Sequence, residues 1–320
     1  MTDKPSKPKT VFVVGAGASL CYGYPLGAGL VENLINTHFE SFSHLVPRVQ
    51  DAIEFGQLLR QSACDSIDVF LESQPGWLDL GRLLITEEIV RRENPALVLP
   101  SQPSQAKDNW YRYLFNQLLP DGSTFDHVWT LNTSFVTFNY DRSLEFFLVQ
   151  ALRNRFGKAE EQAFTMIANQ LPIAHVYGDL GPLPWEKREG VASREYGKRW
   201  ETFELQEAAS KQIHIFAGGH PQTAGLDKAR RWLHEAERIY FLGFGYHPAN
   251  IERLNVPWGT PGVEIFGTGI GVTNSRKNAL QSKYTGLQIG HPTYGICEFL
   301  ENCEPFLRDV SNQKGRDEAG

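Results

Sequence analysis

Cysteine is scarce in this 320-residue chain: Cys21, Cys64, Cys297 and Cys303 are the full set, and no two of them form a CxxC pair. So few scattered thiols do not make a disulfide framework, and without CxxC pairs a four-cysteine structural zinc is excluded. Nowhere do eighteen apolar residues run uninterrupted, so no membrane span is expected. The first ten residues, MTDKPSKPKT, lack the apolar segment of a signal peptide, which leaves the cytoplasm as the expected compartment. Long basic runs are missing too, and a formal charge of −6 argues against a nucleic-acid partner, whose binding rests on neutralised phosphates. No G-x-x-x-x-G-K-[ST] occurs, which excludes a P-loop.

What is present describes an ordinary globular chain, 41% apolar, of a length that suits one large α/β unit or two modest domains. Short β-branched or aromatic runs end in glycine or polar residues at 11–14, at 134–138, in LPIAHVYGDLG, in AERIYFLGFG and in GVEIFGTGIG. IHIFA, residues 213–217, reads as one more strand. Helical spacing is expected between these runs, from near Leu26 to about His38, beyond Arg142, over Glu160 to Gln170, after Pro248 and after Thr273. Strands alternating with helices predict an α/β fold, a Rossmann-like, mostly parallel sheet covered on both faces. Residues 39–120 have almost no strand-like text and predict a helical insertion, with an exposed loop at 99–106. The sheet-bearing core is then 11–38 together with 121–310, between a flexible lead-in at 1–10 and a flexible tail at 311–320.

The first strand runs into GAGAS. Gly15 and Gly17 supply a tight turn whose backbone can approach a diphosphate near a helix start, but the third glycine of G-x-G-x-x-G is Leu20 here. Gly23, Pro25 and Gly27 delay a regular helix, which favours a loop folded over ligand. A glycine turn chosen only for packing is the plain alternative.

Taken in order, GAGAS (15 to 19), TFNYD (137 to 141), HVYGDLG (175 to 181) and LGFGY (242 to 246) resemble the Sir2-like family, over roughly residues 11 to 282. The resemblance implies a Rossmann-like sheet that binds NAD as substrate and breaks its nicotinamide–ribose bond. It implies Gly15, Ala16, Gly17 and Ser19 at the diphosphate, Asn139 beside the nicotinamide ribose and Asp141 at the carboxamide. Gly243 and Gly245 would form a second glycine turn near the adenosine half, with Thr273 and Asn274 near the adenine ribose. Three departures stand out. Phe138 occupies the place of a sirtuin glutamine, the zinc cysteines are missing, and Tyr177 stands where the catalytic histidine precedes glycine. These place the chain nearer to the bacterial antiphage-defence NAD hydrolases than to protein deacylases. That affinity implies a gated enzyme, held by a homo-oligomer or by a defence-system partner such as an ATPase or a nucleotide-handling enzyme, and no metal.

Read as chemistry, His175 and Tyr177 share one side of an extended strand, about 6–7 Å apart. His175 has the near-neutral pKa of a general base, and the Asn139 amide can orient a water. Other roles stay open: His175 bonding a backbone carbonyl, Asn139 or Asp141 capping the next helix, Tyr177 simply packing. Asp65 and Asp68 read as caps at a helix start, although the Sir2-like resemblance also sets a similar S-I-D stretch near the ligand. A nucleotide-binding sensor or scaffold without turnover is the alternative to the hydrolase, and a deacylase stands third.

Overall fold

Val11, Phe12, Val13 and Val14 are all buried, so the first strand, β1 (Thr10–Val14), is covered on both faces. A strand at the centre of a parallel sheet requires this. In the structure, a computed structural model that describes residues 9–36, 49–64, 66–102, 108–215 and 223–303, β1 lies between β2 (Thr133–Thr137) and β4 (Arg238–Leu242). β3 (Ile173–His175), β5 (Glu264–Gly267) and β6 (Leu287–Ile289) extend the sheet to the order β3-β2-β1-β4-β5-β6, parallel throughout. Phe12, in register with Phe135 and Tyr240, stacks its ring 5.5 and 5.1 Å from theirs, and Tyr240 continues the row to Phe266 at 5.4 Å. These rings tie four strands together on one face.

The helices are α1 (Gly27–Asn36), α2 (Val49–Gln61), α3 (Ile67–Ser73), α4 (Leu78–Arg92), α5 (Pro95–Val98), α6 (Trp110–Leu118), α7 (Ser143–Phe156) and α8 (Glu160–Gln170). They continue with α9 (Phe203–Ser210), α10 (Ala224–Glu235), α11 (Pro248–Leu254), α12 (Asn274–Lys283) and α13 (Ile296–Glu301). Among the described residues no helix is long and apolar enough to cross a membrane. The fold is the expected α/β architecture: a Rossmann-like parallel sheet flanked by helices.

Several local expectations need correction. Residues 213–215 are not a strand: Ile213 and Ile215 are buried in a non-repetitive segment held by the His214 N–H donating to the Tyr177 carbonyl at 2.8 Å. Residues 216 and 217 of IHIFA lie outside the described residues, as do His38, Asp65, the tail at 311–320 and all of the lead-in but its last two residues. A short strand, β6, was not anticipated; its polar middle residue, Gln288, breaks the apolar run. Nor does a loop follow Gly15. Ala16–Tyr22 winds into a 3-10 helix closed by Gly23 in the left-handed region.

The helical block between β1 and β2 does not hang off the core but completes it. Ala52, Phe55, Leu71, Ile85 and Trp110 are 0% exposed and belong to the same apolar cluster as the sheet. Trp110 donates its indole N–H to the Ala18 carbonyl at 2.8 Å, and Tyr22 stacks on Tyr111 at 4.0 Å. A buried bidentate pair also fastens the block to the later chain: Glu93 accepts from both Arg194 terminal nitrogens at 2.6 and 2.7 Å, and from the Gly197 N–H at 2.7 Å.

Candidate functional site

Parallel registry aligns the strand ends. Val14 pairs with Thr137 and with Leu242, and Thr137 pairs with His175, so all four motifs emerge at the carboxyl edge of the sheet. The strand order reverses direction at β1, making a topological switch point, the place where such sheets bind ligands. A cleft of about 350 Å³ opens there, walled by Gly15, Ala16 and Ser19, by residues 138–141, by α3 and by the start of α11. That volume lies within the ordinary range for small-molecule sites.

The two glycine turns are built against each other. A Cβ on Gly15 would stand 2.7 Å from the Gly243 carbonyl oxygen, one on Gly17 2.8 Å from the same atom, and one on Gly243 2.1 Å from the Ala18 nitrogen. Gly243 also sits at φ +56, which favours glycine. What lies closest to these backbones is another backbone. Gly17 donates its N–H to the Gly243 carbonyl at 2.9 Å, and neither Gly17 nor Gly243 walls the cleft. Gly15, Ala16 and Gly245 do, and a Cβ on Gly245 would meet nothing within 4 Å.

Beside this knuckle, Asn139 donates from Nδ2 to the Gly15 carbonyl at 3.1 Å and to Ser19 Oγ at 2.8 Å. Both amide hydrogens are thereby used, leaving Oδ1 as the acceptor for the cleft. Ser19 passes its own hydrogen to Asp141 Oδ2 at 3.0 Å, while Asp141 Oδ1 accepts the Ser143 N–H at 3.1 Å and the Ser143 hydroxyl. Asp141 does not cap α7, whose N-cap is Arg142; its side chain closes the turn that leads into that helix. Burial pushes its carboxyl above the usual range, against the bonds from Ser143 and Ser19.

His175 is not among the cleft-lining residues. Its Nδ1 lies 2.9 Å from the Asn139 carbonyl oxygen and its Nε2 2.6 Å from Glu145 Oε1. A carbonyl and a carboxylate only accept, so the ring must donate from both nitrogens as an imidazolium. Burial alone would lower its pKa, but the charge and hydrogen bond of Glu145 more than offset that and raise it. The same partnership, with Arg142, holds Glu145 below the usual carboxylate range despite burial. Arg142 in turn donates to Glu145 at 3.1 Å, to the Gly181 carbonyl at 2.6 Å and to Glu186. A doubly donating cation has no lone pair with which to take a proton, so the structure places His175 in a buried ionic network that fixes the Asn139 backbone, not in position as a base.

Tyr177 does face the cleft. Its hydroxyl donates to Asn250 Oδ1 at 2.6 Å and accepts from Arg253 at 2.6 Å; burial pushes it up to about 12, against the nearby guanidinium. Its ring meets Phe138 edge-on at 5.4 Å, and Phe138 meets Phe244 at 5.2 Å, which makes an aromatic wall. Thr273 and Asn274 stay outside the cleft. Thr273 caps α12, accepting the Arg276 N–H at 3.3 Å, and both are exposed.

The outer wall, α3 and the start of α11, adds Glu72 and Arg253, which sequence reasoning missed. Asp68 is in the first turn of α3 but caps nothing; its Oδ1 accepts the Tyr140 hydroxyl at 2.8 Å. One turn on, Glu72 pairs with Arg253 at 3.4 Å. The i, i+4 spacing in SIDVFLE was the available signal that both carboxylates share a face. Among the described residues no group of three or more His, Cys, Asp or Glu side chains is placed to hold a metal ion. No protein-family model matches the chain, and no curated protein matches it either.

Proposed function

We propose that the chain binds NAD across this cleft and hydrolyses its nicotinamide–ribose bond. The observation that carries the reading is the Asn139–Ser19–Asp141 cluster, set where the β1 and β2 ends meet the switch point, with the Asn139 Oδ1 acceptor left for the cleft. In the reaction the C1′–N1 bond breaks and its electron pair leaves with nicotinamide. A water oxygen bonds to C1′, and one proton is released as ADP-ribose forms. Nicotinamide leaves NAD from a cationic ring, so departure needs no acid. Asn139 accepts a hydrogen of the attacking water and holds it; Gly15, Ala16 and Gly245 give the diphosphate a wall without bulk; Tyr177 and Phe138 pack against the nicotinamide end. Catalysis of this kind rests on positioning more than on a strong base.

A second reading, binding of NAD or ADP-ribose without turnover, is favoured by the sequestration of His175 as an imidazolium. One experiment separates them: the full chain is incubated with NAD, nicotinamide release is followed by chromatography, and ADP-ribose binding is measured by calorimetry. The hydrolase reading expects equimolar nicotinamide and ADP-ribose, and a drop of about 100-fold or more in Asn139→Ala, of the order of losing one oriented catalytic group. Binding with no nicotinamide would leave the sensor reading, and no binding of either compound would end both.

A further inference from the structure

A second cavity, of about 440 Å³, lies at the β6 end of the sheet, where β5 and β6 meet the end of α13, and it shares no lining residue with the cleft. That size is within the ordinary range for small-molecule sites. Its floor takes up the aromatic row of the sheet where the row stops. Phe266 is stacked on Tyr240 at 5.4 Å, and the residue in register with Phe266 on β6 is Gln288; both line the cavity. An aromatic ring beside an amide matches a nucleobase. The ring supplies a stacking surface, and the amide donates and accepts at once along a base edge, a pairing that suits adenine. Asn302, a second amide in the lining, donates from Nδ2 to the Glu298 carbonyl at 2.8 Å and keeps Oδ1 as an acceptor.

Charge is divided along this cavity. At the start of β5, Glu264 is paired with Arg238 at 2.8 Å. At the carboxyl edge, Lys277 donates to the Gly290 carbonyl at 3.3 Å and keeps two more hydrogens. His291 accepts the Thr293 N–H at Nδ1, 3.4 Å away, so the hydrogen of its neutral ring is on Nε2, a donor. The carboxyl edge therefore suits an anion, through a cation and a ring N–H, and the carboxylate end does not. We infer that this cavity binds an adenine mononucleotide, its base stacked on Phe266 and read by the Gln288 and Asn302 amides, its phosphate at Lys277 and His291. The site stands or falls independently of the NAD reading.

Calorimetry on the full chain tests the assignment with three probes: AMP, adenosine, which lacks the phosphate, and ribose 5-phosphate, which lacks the base. Each fragment should bind at least roughly 10-fold more weakly than AMP, the scale of one charge-assisted hydrogen bond or one stacked base. Lys277→Gln should weaken AMP by roughly 10-fold and leave adenosine unchanged, a split that a merely structural lysine would not produce. Gln288→Ala should weaken AMP and adenosine alike, by about 3- to 10-fold. Gln288 is exposed and Lys277 half-buried, so both variants should melt with wild type. Gly245→Ala, altered in the cleft instead, should bind AMP as wild type does. A chain that binds no AMP overturns the assignment, as does ribose 5-phosphate binding as tightly as AMP. AMP binding that survives Lys277→Gln and Gln288→Ala but fails in Gly245→Ala belongs to the cleft, and overturns it too. Nicotinamide release, measured separately, decides the NAD reading whichever way these titrations fall.

Discussion

Replacing His175 by glutamine tests whether this residue is a base or a buried cationic clamp. The imidazolium side chain is 8% exposed and joins the Asn139 carbonyl to Glu145, itself 8% exposed. Removing one partner of a buried pair costs about 3–5 kcal/mol, because the remaining charge is left short of a partner. Glu145 keeps Arg142 at 3.1 Å, so the expected loss is near the lower end, about 3 kcal/mol. The sign with pH follows from the raised pKa. In the unfolded chain the ring titrates near 6.5, and in the folded protein above it. The clamp's contribution is therefore complete below about pH 6.5 and fades as pH rises through the folded value, at about 1.4 kcal/mol for each unit between the two. Glu145, held below its ordinary range, loses its own contribution only at acid pH, so urea titrations at pH 6, 7.5 and 9 isolate the histidine. The gap between wild type and His175→Gln should be widest at pH 6 and narrow toward pH 9. A gap that does not change with pH refutes the imidazolium. So does a variant of unchanged stability whose nicotinamide release is abolished, which would return His175 to the role of base.

Three substitutions away from His175 sort packing from binding. Gly243→Ala, with its Cβ driven 2.1 Å from the Ala18 nitrogen at φ +56, should destabilise by more than about 2 kcal/mol in urea melts; tolerance would show that the two turns can part. Gly245→Ala, whose Cβ meets nothing within 4 Å, should melt within about 0.5 kcal/mol of wild type yet bind ADP-ribose at least several-fold more weakly, and unchanged calorimetry would remove Gly245 from the site. Arg194→Ala strands the fully buried Glu93 carboxylate and should cost about 3–5 kcal/mol, read by denaturant unfolding, with under 1 kcal/mol counting against the ion pair.

The sheet was legible because its text is short, apolar and punctuated. The doubly buried runs at Val11–Val14 and Ile239–Leu242 carry the signature of central parallel strands, and the glycines that follow them mark the carboxyl edge. Apolar text alone misled at Ile213 and Ile215, which are buried by packing without a strand to pair with. β6 escaped notice because three residues around Gln288 carry no alternation long enough to read. At the site, alternation along an extended strand set His175 and Tyr177 on one side, but β3 ends at His175 and the chain turns there, which sends the two side chains to different partners. Glycine told the least about its own purpose: Gly15, Ala16 and Gly245 meet the cleft, while Gly17 and Gly243 serve the close contact of one turn's backbone with the other's. Asp68, Tyr140 and Arg253 come from segments far apart in the chain, and nothing local to any of them signals that they converge.

The indole bond from Trp110 to Ala18 and the stacked Tyr22 and Tyr111 rings make the molecule indivisible at its first loop. A shortened chain that kept the turn after β1 but lacked the helices that follow it would retain the strand-end residues yet lose one wall behind them, exposing the 3-10 segment's aromatic underside to water. Minimal versions of this protein should therefore keep the segment between β1 and β2 whole.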